Sequence, residues 1–243
     1  MAWAAARSFA ITALLWATAA AQSTAHSPQA KTREELDAFG LIFEAANPSA
    51  EATAAESFLH LFPDSEFSEQ AQLAAMHSRY DLGDIPRSRE LALAALTTNP
   101  ESPDALLHSA RLIVAPGFES PSQFAEARRL AEAGISRVKS MKIPTYADSR
   151  VWLRTRNSFL AVGTSVLGWL AFHEGKPDLA AGLLQQAAAY DPRGEYFYRL
   201  SLLPASNHRD LSSWASRAIQ AGPEWITVLA RHRLKQLNQN EAR

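Results

Sequence analysis

From Arg33 onward, apolar positions recur at helical spacing in stretches of about 10 to 18 residues, cut by short polar breaks. No run of alternating Val, Ile and Thr bounded by turn residues interrupts the pattern. The pattern predicts helices throughout, and breaks this short make each helix the antiparallel neighbour of the next. The breaks are themselves built from helix signals. Asn47 caps a helix that opens on Pro48, and Ser102 with Pro103 repeats the arrangement. Gly175 ends one helix and Pro177 opens another, with Asp178 at its positive end. Gly222, Pro223 and Glu224 form the same series.

A longer skeleton lies over this punctuation. In "YDLGDIPRSRELALAALTTNP" (80–100), Gly83 is followed twelve residues on by Ala95, and Pro100 comes five after that. In "HEGKPDLAAGLLQQAAAYDP" (173–192), Gly175, Ala187 and Pro192 keep the same spacing with few shared letters. Ala218 and Pro223 give a third copy of the second interval. Leu167-Gly168 stands seven residues before Gly175. Fixed spacing under drifting letters marks a repeat architecture.

These residues resemble the tetratricopeptide repeat, a helix–turn–helix unit of about 34 residues. The resemblance implies an all-α short solenoid of antiparallel helical hairpins with a capping C-terminal helix. It implies that Leu167 and Gly168 let the second helix approach, that Gly83 and Gly175 turn corners, and that Ala95, Ala180, Ala187 and Ala218 sit at helix crossings. Pro100, Pro192 and Pro223 would close units. The clearest repeats are 69–100 and 161–192. Degenerate units cover 34–63, 103–139 (with Ala127 and Gly134 at its crossing) and 195–223, and the cap covers 223–238. "AESFLHLFPDSEFSEQA" resembles the longer units of bacterial envelope proteins, and the nearest likeness overall is to exported bacterial proteins of this repeat class.

The N-terminus carries an address. Arg7 is followed by the apolar run "FAITALLWATAAA" and by Ala19-Ala20-Ala21, the small-x-small pattern that signal peptidase needs. The run is shorter than the ~20 apolar residues of a spanning helix. Residues 1–21 are therefore expected to be a cleavable export signal, and 22–33 a flexible linker ahead of a repeat domain at 34–243. Losing Arg7 takes the net charge from −1 to −2. The expected location is the periplasm or the extracellular space. With no Cys in 243 residues, disulfides, thiolate catalysis, Cys-bound metals and a lipid-modified N-terminal Cys are excluded. A net charge near zero argues against nucleic acid as a partner.

Candidate chemistry is sparse. "GTSVLG" (163–168) misses the nucleophile elbow by one residue, and no strand precedes it. Outside the signal and linker, His60, His77, His108, His173, His208 and His232 include no pair three or four apart. No phosphate-binding glycine loop occurs, and Glu34, Glu35, Asp37, Glu119 and Glu126 read as solvated faces. The expectation is a non-enzyme with no metal, cofactor or small-molecule substrate.

Surface for binding remains. The resemblance implies a concave face lined by the first helix of each hairpin, which would hold a protein or peptide of the cell envelope. That face would comprise Gln70, Leu73, His77 and Tyr80; then Asp104, Leu107 and Arg111; then Ser165, Trp169, Phe172 and His173. Trp169 and Phe172 are equally placed to pack within the hairpin. The last helix carries an apolar stripe of Trp225, Ile226, Leu229 and Leu237, with Arg231, Arg233 and Lys235 largely outside it. It reads as a cap, with a basic membrane-facing surface as the alternative. The second functional reading is thus a membrane-tethered structural subunit, held by an uncleaved N-terminal segment or by this helix.

Overall fold

A computed structural model describes residues 28–143, 148–204 and 208–241, and among them are eleven α-helices and no strand. The expected signal and residues 22–27 of the linker lie outside the described residues. The helices pair as α1 (Arg33–Glu44) with α2 (Pro48–Leu61), α3 (Ser68–Asp81) with α4 (Ile85–Thr98), and α5 (Pro103–Ile113) with α6 (Phe124–Ser140). Then come α7 (Ser149–His173) with α8 (Pro177–Tyr190), α9 (Gly194–Leu202) with α10 (His208–Ala221), and a final α11 (Glu224–Glu241). Every helix packs on its sequence neighbours, and α1 also meets α3, α5 meets α7, and α9 meets α11. The chain is a short all-α solenoid of antiparallel hairpins.

Local chemistry sets the boundaries. The side chains of Thr32, Asn47, Asp84 and Ser102 accept hydrogen bonds from the N–H groups of Glu35, Ala50, Arg87 and Ala105. Each such cap contributes about 1 kcal/mol by satisfying a donor that the first turn leaves free. Gly83 and Gly175 turn the corners into α4 and α8 in the left-handed region, at φ 80° and 73°. Pro100, Pro192 and Pro223 each lie two residues past the end of a helix.

Packing follows from the small residues. Ala95, Ala180, Ala187 and Ala218 are wholly buried at their helix crossings. A Cβ on Gly168 would stand 3.1 Å from Leu183 and Leu184, so its absence lets α7 and α8 approach. The apolar interior is a row of linked cores. Phe39, Phe58, Met76 and Ile85 fill the first, Leu130, Val166 and Trp169 the second, and Leu184, Phe197 and Leu200 the last. A fully buried Phe or Leu in such a core contributes about 1.5–3 kcal/mol.

The structure departs from the sequence expectation at several places. The α7 helix runs 25 residues and begins well before the unit expected at 161. "GTSVLG" lies inside it, so no elbow forms. Between α5 and α6 the chain makes an irregular loop ending in a 3-10 turn (Pro121–Gln123), held by Arg89 donating to the carbonyl of Leu112 at 2.7 Å. Residues 28–32, expected within a flexible linker, are tied to the α2–α3 connection: Gln29 N donates to Glu66 at 3.0 Å and Lys31 Nζ to the Asp64 carbonyl at 2.7 Å.

The largest departure is at the end of the chain. Ile226 and Leu237 of α11 are buried in the last hairpin, as a cap requires. Trp225 instead reaches back to α3, its ring edge-on to Tyr80 at 5.2 Å and against Gly83, and joins the first core. The solenoid is wound tightly enough for its last helix to touch its second hairpin.

Candidate functional site

The inner face built by α3, α5, α7 and α9 is closed. Of the residues expected to line a groove, Gln70, Leu73, Tyr80, Asp104, Leu107, Arg111, Ser165 and Trp169 are all buried. His77 and Phe172 are half-buried, and only His173 is exposed. The reasons differ by residue. Leu73 is in the first core, and Leu107 sits with Val138, Phe159 and Val162 in the core between α5, α6 and α7. The Ser165 hydroxyl donates to the Val162 carbonyl of its own helix at 2.8 Å. Tyr80 and Arg111 are engaged by Glu195 of α9, and His77 pairs with Asp104.

Glu195 is the centre of that arrangement. Its Oε2 accepts from Tyr80 Oη at 2.5 Å and from Arg111 Nε at 2.7 Å. Its Oε1 lies 2.6 Å from Arg199 Nη2, one helical turn on, as an ion pair whose geometry makes no hydrogen bond. Arg199 donates to the carbonyls of Val114 and Ser165, at 2.7 and 3.3 Å. The Arg111 guanidinium lies over the Tyr80 ring at 3.7 Å, and that of Arg199 is 5.4 Å from the Trp169 ring. Burial alone would raise the Glu195 carboxyl, but Arg111 and Arg199, together with the Tyr80 hydroxyl, outweigh it and hold it at about 2. Burial and the neighbouring Glu195 charge push the Tyr80 hydroxyl well above its usual value. Near neutral pH the Glu195 carboxylate is charged and held by its guanidinium partners, an arrangement suited to fixing helices.

A second cluster lies beside the first. Asp104 opens α5, and His108 follows one turn later on the same face. His77 comes from α3, its Nε2 placed 3.2 Å from Asp104 Oδ2 and 3.1 Å from Oδ1. His108 Nε2 stands 3.5 Å from the same Oδ1, and the two imidazoles meet edge-to-face at 4.4 Å. Burial, with help from the nearby His77 and Arg111, pushes His108 well below the usual imidazole value, so it is neutral. Glu69, raised chiefly by burial and secondarily by the charge of Asp104, accepts from Asn99 at 2.9 Å.

Sequence reading brought His77, Tyr80, Asp104 and Arg111 to one face, and they do meet there. It missed Glu195, Arg199 and His108. A search for His pairs passes over the Asp104–His108 interval of four, and the Glu195–Arg199 interval of four is an equally readable acid–base spacing.

The surface offers other features. An open cleft of about 620 Å³ lies between α2, the α2–α3 connection, α3 and α4, lined in part by Leu59, Pro63, Gln72, Arg87, Leu91 and Ala94. At the far edge of the solenoid His173 stands exposed beside Trp169, Phe172 and Phe124, with ring centroids 4.9–5.7 Å apart. On α11, Arg231 pairs with Glu224 at 3.2 Å and Arg233 donates to the Ser201 carbonyl at 3.0 Å, so two of the three basic residues are engaged. No helix among the described residues is long and apolar enough to cross a membrane.

No protein-family model matches the sequence, and no curated protein matches it. Solved structures similar to it include MamA 41-end from Desulfovibrio magneticus RS-1, at 12% identity and a TM-score of 0.49 over 84% of this chain and 98% of that one. The MamA RS-1 ArsTM double mutant is similar at 12% identity and 0.48, over 79% and 96% of the two chains. TTC0263, a thermophilic TPR protein of Thermus thermophilus, is similar at 16% identity and 0.46, over 83% and 96%.

Proposed function

We propose that this chain is a non-enzymatic interaction scaffold of the bacterial cell envelope, exported by residues 1–21, which binds a protein or peptide partner on its helical surface. The observation that carries this reading is the cleft of about 620 Å³ between α2, α3 and α4. Its volume falls in the ~300–1,000 Å³ range of ligand-sized clefts. Leu59, Leu91 and Ala94 contribute apolar lining, and Arg87, Glu90 and Asp64 contribute charge. Such a mixture suits an extended peptide better than a lipid or a nucleic acid. The inner face does not serve as the groove in this state, since most of the residues that would line it are buried.

The test is crosslinking in intact cells with a photoreactive side chain at Ala94, in the cleft, or at His173, on the aromatic edge. Mass spectrometry of the products would also read the mature N-terminus. A discrete protein crosslinked from Ala94, and lost when Ala94→Trp fills the cleft of an otherwise photoreactive Gln72 variant, supports the reading. Crosslinks only from His173 would move the site to the aromatic edge. An N-terminus retaining residues 1–21 would favour the membrane-tethered subunit instead.

A further inference from the structure

We infer that His77, Asp104 and His108 form a binding site for one divalent transition-metal ion of the zinc type, linking the second hairpin to the third. Each side chain offers one ligand atom, and the three lie within 4.8 Å of one another. Two nitrogen donors and one carboxylate oxygen suit Zn²⁺ and its neighbours over Mg²⁺ or Ca²⁺, which prefer all-oxygen sets.

The distances fit. Two ligands of a tetrahedral ion with bonds of about 2.0–2.1 Å stand roughly 3.3–3.4 Å apart. Asp104 Oδ1 lies 3.1 Å from His77 Nε2 and 3.5 Å from His108 Nε2, on either side of that value. The third edge, between the two imidazoles, lies within 4.8 Å.

Hydrogen bonding points the same way. Asp104 is 4% exposed, yet its Oδ1 accepts no hydrogen bond although two imidazole nitrogens flank it. A buried carboxylate oxygen without a donor is costly, and a cation between the three groups removes that cost. The adjacent positive charge of Arg111 is matched by Glu195. Three protein donors leave a fourth position. The half-exposed edge of His77 places it toward solvent, where water or a donor from a partner completes the shell.

Because His77 belongs to α3 and the other two ligands to α5, a bound ion staples consecutive repeats at the inner face. Such an ion binds the folded chain and not the unfolded one, so it raises stability with the logarithm of its concentration above the dissociation constant.

The experiment is a titration of the full chain, stripped with chelator, with Zn²⁺ by calorimetry, and with Co²⁺ by visible absorption. His77→Gln and Asp104→Asn are the site variants. His232→Gln, at an exposed position on α11, is the control. The expected result is one equivalent bound by the parent and the control, and a rise in melting temperature of roughly 5 °C or more at saturating Zn²⁺. Affinity should fall by at least about 10- to 100-fold in either site variant, the loss that outer-shell changes alone produce. His77→Gln alters a half-exposed side chain, so helical circular dichroism should match the parent and keep the comparison valid. Absence of stoichiometric binding by the parent, or equal binding by parent and site variants, overturns the site.

Discussion

The Tyr80 hydroxyl donates a 2.5 Å hydrogen bond to Glu195, joining α3 to α9 across 115 residues of chain. Most helix contacts in the solenoid are between sequence neighbours or next neighbours, and this one instead spans from the second hairpin to the fifth. Arg111 and Arg199 hold the same carboxylate. Tyr80→Phe removes a hydrogen bond to a charged acceptor and should cost about 1.5–3 kcal/mol. In a double-mutant cycle with Glu195→Gln, urea unfolding should give a coupling of about 0.5–3 kcal/mol. Additive losses would mean the two side chains do not meet in solution.

Glu195→Gln should be more damaging by itself, for a reason that lies with its partners. Removing the carboxylate leaves the buried guanidinium of Arg111, 4% exposed, and that of Arg199, 0% exposed, without a counter-charge. Breaking a buried pair in this way costs about 3–5 kcal/mol, whereas replacing all its members with apolar residues is often close to neutral. Glu195→Leu combined with Arg111→Met and Arg199→Met should therefore recover much of the stability that Glu195→Gln loses. Equal or greater loss in the triple variant contradicts this account.

The same carboxylate makes the fold acid-labile in a defined window. Its folded value of about 2 lies below the ordinary 4.5, so the unfolded chain binds the extra proton as pH falls. The stabilisation, about 3 kcal/mol, is complete above pH 4.5 and disappears between 4.5 and 2. Tyr80 from α3, Arg111 from α5 and Arg199 from α9 face this group. Other carboxylates also titrate there, so the informative quantity is the stability difference between parent and Glu195→Gln. It should shrink steadily as pH is lowered from 5 to 3, and parallel curves would exclude Glu195 as the source.

Glycines give a paired test of close packing. A Cβ on Gly194, the first residue of α9, would stand 2.3 Å from the Cα of Gly222, with backbone on both sides. Gly194→Ala must push α9 away from the end of α10, a cost of about 1–3 kcal/mol or more. Gly182, exposed on α8, has nothing within 4 Å of the same position. There Gly182→Ala should stabilise by about 0.5–1 kcal/mol through helix propensity. Thermal melts of the two variants should move in opposite directions.

The hairpins were legible because local signals define them. Asn47, Ser102, Gly83 and Gly175 act within one turn of chain, and the alanines at fixed spacing mark crossings between sequence neighbours. The filling of the inner face was not legible. Tyr80 and Arg111 read as groove residues because nothing near them in sequence announces Glu195, and the pairing depends on the summed rotation of several hairpins. Asp104 and His108 were close enough in sequence to be seen, but His77 joins them only through the packing of α3 on its neighbours. Gly222 read as a helix stop like Gly175. It lacks the positive φ of Gly175, and its smallness admits Gly194 instead.

The role of α11 separates a simple cap from a clasp. A cap covers only the end of its neighbour, and its removal should loosen α10 and α9 alone. Here Trp225 also packs on Tyr80 and Gly83 in the second hairpin. Trp225→Ala keeps the rest of α11, including the buried Ile226, Ala230 and Leu237, and so preserves the cap. Its cost should be about 2 kcal/mol, less than the ~3–5 kcal/mol of a fully buried Trp. The location of that cost is the discriminating observation. Hydrogen exchange by mass spectrometry should show faster opening of α3 around Tyr80 and of α9 around Glu195, with α10 little changed. Faster exchange confined to α10 and α11 would make the helix an end cap and leave the inner face closed by Glu195 alone.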